Sequence, residues 1–287
     1  MSQYSLLSYC GVYDDELVTM SQRVMSMVRK MARAVGIGDE EINRKLFWAS
    51  KLLDTRYEAV DNELMECVMD DIRSFISYDE RIKRQWQHMG PFLMDLEEAL
   101  VRSFPLAITT VHMITMAYLT SVKASIVLSA SAASLAQVSQ KLSNYMMHLV
   151  AMRPGVVSVL QIGMMSNVGI VLPLLAEYTT GGLSMGCQPG TLIENFKSEH
   201  PQFPWTIEQH EAVLKELRDI WVRLLIYAAG KSRLEAHTAQ LAEGGELFTF
   251  VWLLMAHCGL GDGTVLRIGP TASSPHGNVK LIDVFDL

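Results

Sequence analysis

The chain has little that a recognised catalytic or secreted protein would need. Its 287 residues hold only four cysteines, Cys10, Cys67, Cys187 and Cys258, and no Cys-x-x-Cys pair. That excludes a disulfide framework and a zinc ribbon. There is no Asn-x-Ser/Thr sequon, no phosphate-binding Gly loop, no Rossmann fingerprint and no H-E-x-x-H spacing. No basic segment followed by an apolar one opens the chain, so a secretory signal is not expected. Basic excess is also lacking: 24 Lys and Arg stand against 31 Asp and Glu, a net charge of −7, which argues against a nucleic-acid binder. With 9 Pro and 19 Gly among 49% hydrophobic residues, neither a disordered nor a collagen-like chain fits.

What is present is helical periodicity. Leu17, Met20, Val24, Met27, Met31 and Ala34 recur at spacings of 3 and 4, the seam of an amphipathic helix over residues 14–35. Acids fill its first turn (Asp14, Asp15, Glu16) and bases its last (Arg29, Lys30, Arg33), matching the helix dipole. The seam packs on the rest of the domain or, alternatively, on a partner. Asp39 and Asp61 are N-caps for the next helices, the latter carrying Leu64, Val68, Ile72 and Phe75 on one face. A further helix over residues 92–102 ends before Pro105.

Between residues 99 and 176 there is no Asp or Glu at all. Charge-free runs cover residues 103–122, 124–140 and 154–176, and two of them reach the ~20 residues of a membrane-spanning helix. Their Ser, Thr, His and Asn content favours buried helices, with membrane association as the alternative. A Gly/Pro-rich linker, residues 179–204, follows. Thr206-Ile207-Glu208-Gln209 then reads as a capping box that opens a helix whose buried stripe is Val213, Leu217, Ile220, Trp221, Leu224, Leu225 and Ala228. Gly244-Gly245 breaks the chain, and Glu246 to Cys258 is apolar all round, a pattern expected to be buried on every side. Residues 261–287 read as a loose tail.

The segment Ile220 to Ala229, with Arg233, His237, Gln240, Gly244-Gly245-Glu246-Leu247 and then Phe250 to His257 through Trp252, resembles the plant family of domain of unknown function 594, abundant in grasses. Ser143-Asn144-Tyr145-Met146, followed by Arg153-Pro154, and His112 with Thr115 are similar to the marks of domain of unknown function 4220, which usually precedes it. The resemblance spans roughly residues 4–260. Val111 stands where that family usually has Trp, Arg223 where it has an acid, and an Ala/Ser-rich run replaces an acidic stretch. It implies a cytosolic C-terminal half without the family's usual N-terminal transmembrane helices. It also implies residues 1–178 and 205–260 as the two helical regions, and no established reaction.

Candidate chemistry is sparse. Gly182-Leu183-Ser184-Met185-Gly186 matches G-x-S-x-G, but no strand-to-helix elbow surrounds it, so a loop is expected. His237, Glu243, Glu246 and His257 are metal-ligand types without ligand spacing, and a structural polar network across the double-Gly break is expected instead. Arg81, Lys83, Arg84, Trp86 and His88 sit beside Asp79 and Glu80 and read as a solvated turn. The expectation is an all-α helical bundle with a C-terminal helical hairpin closing the core. It has no cofactor, no metal and no nucleic-acid partner. It acts as a non-catalytic protein–protein interaction module in the cytoplasm, through an unknown partner or self-association. A membrane-associated protein and an enzyme of unrecognised type are the alternatives.

Overall fold

The computed structural model describes residues 1–5, 55–76, 86–125, 128–153, 197–205, 209–242 and 246–260. It also describes the backbone of residues 264–267 and 283–286, and single helical positions at 20, 23, 24, 27, 28, 31, 49 and 194. The fold is all-α. Helix α1 is Asn62–Ile76, α2 Gly90–Arg102, α3 Phe104–Ser125 and α4 Ala130–Met152. The C-terminal third supplies α5, His210–Lys231, α6, Leu234–Ala242, and α7, Leu247–His257.

Local chemistry sets several of these ends. Asp61 Oδ1 accepts from the Leu64 N–H at 2.9 Å, so the acid that the sequence offers as a cap for α1 is one. Ser129 caps α4 through the Ala132 N–H at 3.1 Å. Gly259, with φ of 79°, takes the left-handed conformation that terminates α7, while the Leu260 N–H bonds back to Met255 O at 2.9 Å. α2 begins differently. Met89 precedes it and provides no side-chain cap. The Glu216 carboxylate, from α5, accepts from the backbone N–H groups of Gln87 (3.0 Å), His88 (3.2 Å) and Met89 (2.8 Å). A carboxylate from another helix thus does what a local Ser or Asp would do.

α5 runs through the centre and packs on α4, α7 and α1, while α3 packs on α4 and α2. Its expected stripe is buried throughout, and so are Val222, Ile226 and Ala229, so nearly the whole second half of the helix faces protein. One continuous core joins Leu64, Val68 and Ile72 of α1, Phe92 and Leu96 of α2, Ile108 and Val111 of α3, Leu142 and Met146 of α4, and Leu217 to Leu225 of α5. Burial of that apolar area drives the assembly. The last residues of the stretch expected as a linker join it: Phe203 is buried, edge-on to Phe92 at 5.7 Å and to Tyr118 at 5.3 Å. A large aromatic ring outweighs the loop tendency of its two proline neighbours here.

Four expectations need correction. The clearest helix starts at His210, not Thr206, and Gln209 at its N-cap makes no side-chain cap bond; Thr206, Ile207 and Glu208 lie outside the described residues. α7 is not buried on every side: Phe250 and Leu253 are exposed, because α5 and α6 are its main neighbours and cover only part of it. Trp252 is half-buried, whereas Trp221 is fully buried. The tail is not wholly loose either. Strand β3, Thr264–Arg267, pairs antiparallel with β4, Asp283–Asp286, in the register Val265 to Phe285 and Leu266 to Val284. These β-branched and aromatic residues favour a pleated pair over an open chain. At the other end strand β1, Ser2–Gln3, pairs antiparallel with β2, Arg56–Tyr57, and the Tyr4 N–H bonds to Asn144 O of α4 at 3.1 Å.

Candidate binding site

Side chains of α3 and α4 meet those of the C-terminal third inside the core. Trp221 Nε1 donates to Thr115 Oγ1 at 2.9 Å, and that hydroxyl donates onward to Val111 O at 2.7 Å. His112 Nδ1 and Ser143 Oγ are hydrogen-bonded at 2.8 Å between α3 and α4. Burial pushes the His112 pKa down to about 3, so the ring is neutral at physiological pH. The Tyr145 hydroxyl donates to Glu246 Oε2 at 3.3 Å and accepts from the Phe248 N–H at 3.0 Å. It therefore satisfies one of the orphan amides at the start of α7, where Glu246 itself provides no side-chain cap. Burial pushes the Tyr145 pKa well up, and the Glu246 charge adds to that, so the hydroxyl stays protonated.

His237 is fully buried and lies parallel to the rings of Phe248 and Trp252, one turn apart on α7, with centroids at 4.6 Å in both cases. Its Nε2–H donates to Ala229 O at 3.0 Å, which fixes α6 against the end of α5. Burial lowers its pKa. Arg223 of α5 sits 3.8 Å from Asp71 Oδ2 of α1 and 5.3 Å over the Trp86 ring. Trp86 therefore belongs to the edge of the core rather than to a solvated turn. His257, by contrast, is exposed on the last turn of α7. Gly244, Gly245, Pro154 and the G-x-S-x-G run lie outside the described residues. Among the described residues no three His, Cys, Asp or Glu side chains come together as metal ligands.

Two features remain at the surface. The first is the N-terminal seam. Met20, Val24, Met27 and Met31 are helical and exposed, at 78%, 52%, 66% and 63%. Leu17 lies outside the described residues.

The second is a cavity of about 920 Å³ between α4, α6, α7 and the β1–β2 strand pair. Its walls mix Val60, Met65, Met152, Leu247 and Leu253 with His148, Arg153, Gln240, Glu246 and Thr249. Exposed apolar side chains (Tyr57, Val60, Leu241, Phe250 and Leu253) ring the mouth. Nothing in a linear reading marks this cavity. Its lining comes from four separate stretches, and the one legible hint is the excess of apolar residues on α7.

No curated protein and no solved structure matches the chain. Residues 206–260, which hold α5, α6 and α7, match the family described as Protein of unknown function, DUF594.

Proposed function

We propose that the protein is a non-catalytic interaction module that associates through its N-terminal seam. The observation that carries this is the exposure of Met20, Val24, Met27 and Met31, each at a helical position. Four large apolar side chains at spacings of 4, 3 and 4 are costly to leave in water, and they form the pattern that a like seam on another helix covers. A second copy of the chain supplies such a seam, so self-association is the favoured form. Methionine suits it, since its flexible side chain adapts to the facing surface. The reading extends to a cytoplasmic location and to residues 1–178 as a region like domain of unknown function 4220 of plant proteins. The bonds joining Trp221 to Thr115 and Tyr145 to Glu246 support the reading of residues 1–178, because they tie marks of both regions into one core.

Sedimentation velocity of the purified chain tests it. The expected result is a dimer that becomes a monomer in Val24→Asp/Met31→Asp, with helical circular dichroism unchanged. A wild-type chain that is monomeric at every concentration, or a double variant of unaltered mass, overturns it.

Membrane association is the second reading, favoured by one observation. Residues 104–123 of α3 are long and apolar enough, by length and composition, to cross a bilayer, with a mean hydropathy of 1.3. Yet 78% of that window is buried within the protein, which favours a core role. Flotation with liposomes separates the two, since the seam reading expects the chain to stay at the bottom of the gradient.

A further inference from the structure

The exposed seam carries a direction as well as a composition. Met20, Val24, Met27 and Met31 stand at helical positions and face solvent, and so do Arg23 and Val28 beside them. In the sequence Leu17 and Ala34 extend the series, whose spacings of 3, 4, 3, 4 and 3 read the same from either end. Two copies can therefore lie seam to seam in register whichever way the second one runs. Two features of the sequence choose between the ways. The first is charge. Asp14, Asp15 and Glu16 lie at the start of the seam, and Arg29, Lys30 and Arg33 towards its end. A parallel pair brings acids to acids and bases to bases. An antiparallel pair brings the acidic end of each copy to the basic end of the other, and it also sets the helix dipoles head to tail. Glu16 and Lys30 each directly precede a seam residue. Such positions face their like across an antiparallel pair, so Glu16 meets Lys30 of the other copy twice per dimer. The second feature is volume. A parallel pair sets Ala34 on Ala34 and leaves that layer thin, whereas an antiparallel pair fills it with Leu17.

We propose that two copies of the chain associate through this seam antiparallel, with Met20 of each against Met31 of the other and Val24 against Met27. The inference rests on the seam being a self-association surface and adds the direction in which the second copy runs. Val28, which follows a seam residue, then meets Val28 of the other copy near the two-fold axis and widens the apolar layer there. In a parallel pair the same valine would face Arg23. The one like-charge approach of the antiparallel pair is between the two copies of Arg23, whose exposed side chain has room to carry its head into solvent.

Site-specific photocross-linking of the full-length chain tests the direction. Met20→p-benzoylphenylalanine is mixed with isotopically heavy wild-type chain, at a concentration where sedimentation shows the dimer, and irradiated. The cross-link is expected in the heavy tryptic peptide that holds Met31. From Met31→p-benzoylphenylalanine it is expected in the heavy peptide that holds Met20. Links from position 20 to 20 and from 31 to 31, or a dimer that yields no link between seams, overturn the antiparallel arrangement and leave the seam as the contact. A chain that is monomeric at every concentration overturns the seam reading as well, so the two failures are told apart. A second measurement needs no bulky probe. Glu16→Lys and Lys30→Glu are each expected to weaken the dimer about tenfold, since each turns two attractive pairs into repulsive ones, and Glu16→Lys/Lys30→Glu is expected to restore the wild-type affinity. The single variants change the net charge in opposite directions, so a loss in both reports the pair rather than overall repulsion. Single variants that associate as tightly as the wild type, or a double variant that stays weak, overturn the arrangement.

Discussion

Trp221 Nε1 donates to Thr115 Oγ1 at 2.9 Å across 106 residues of sequence, and both residues are fully buried. The indole N–H has only a donor to offer, so a buried Trp at this position needs an acceptor on a facing helix. Thr115 supplies it because its own hydroxyl hydrogen is directed to Val111 O on the preceding turn.

Thr115→Val keeps the shape of the side chain and leaves the indole N–H unpaired. A loss of about 1 to 3 kcal/mol is expected, the cost of an unmade buried donor. Trp221→Phe removes the donor and also much volume, so it costs more, about 2 to 4 kcal/mol. In urea unfolding the double variant is expected to fall short of the sum of the two losses, since the shared bond is counted once. Additive losses would show that the bond contributes nothing.

The Glu216 carboxylate that receives three N–H groups ahead of α2 makes a graded series. Glu216→Gln keeps one acceptor oxygen and loses the charge that suits a helix N-terminus. Glu216→Ala loses both oxygens and is expected to cost about 1 to 3 kcal/mol, with glutamine between it and the wild type. Hydrogen exchange at Gln87, His88 and Met89 gives the local readout. Unchanged protection there in Glu216→Ala would refute the capping role.

Stability should depend on pH in one direction through the acid range. His112 and His148 have pKa values held down to about 3 and about 4 by burial, below the 6.5 of an unconstrained imidazole. Between pH 4 and 6.5 the unfolded chain therefore takes up protons at both positions that the folded chain refuses. Unfolding free energy is expected to rise with pH across that window and to level off above it, with a slope of roughly 1.4 kcal/mol per pH unit for each proton. His237, lowered by burial too, adds in the same sense. His112→Asn keeps a polar partner for Ser143 and removes one of the protons, so its slope should be visibly shallower. A profile identical to the wild type would mean that His112 is protonated in the folded chain.

What could be read in the sequence was whatever repeats along one helix. The stripe from Val213 to Ala228 is buried as its spacing predicts, and so are Leu64, Val68 and Ile72 on α1. Asp61 caps because a cap needs only its own next turn. Features that depend on two distant stretches were not legible. Glu216 looks like an ordinary polar position of an amphipathic helix until α2 is placed against it. The cavity is another such case, since His148, Gln240 and Thr249 converge only when three helices are assembled. Trp252 misleads for the same reason: its pattern says core, but its ring stops at the surface against His237. The β3–β4 pair escaped because four-residue strands separated by a long intervening stretch give little periodic signal.

The position of α5 bears on how the protein is made. Ribosomes deliver α1 to α4 before α5, the helix that packs on both α4 and α1. Translation must proceed from Met152 to at least Lys231 before they can be covered, a delay of several seconds. Through that interval the apolar surface that α5 later buries is open to aggregation. A premature stop anywhere before His210 should therefore yield insoluble, rapidly degraded fragments rather than a smaller working protein.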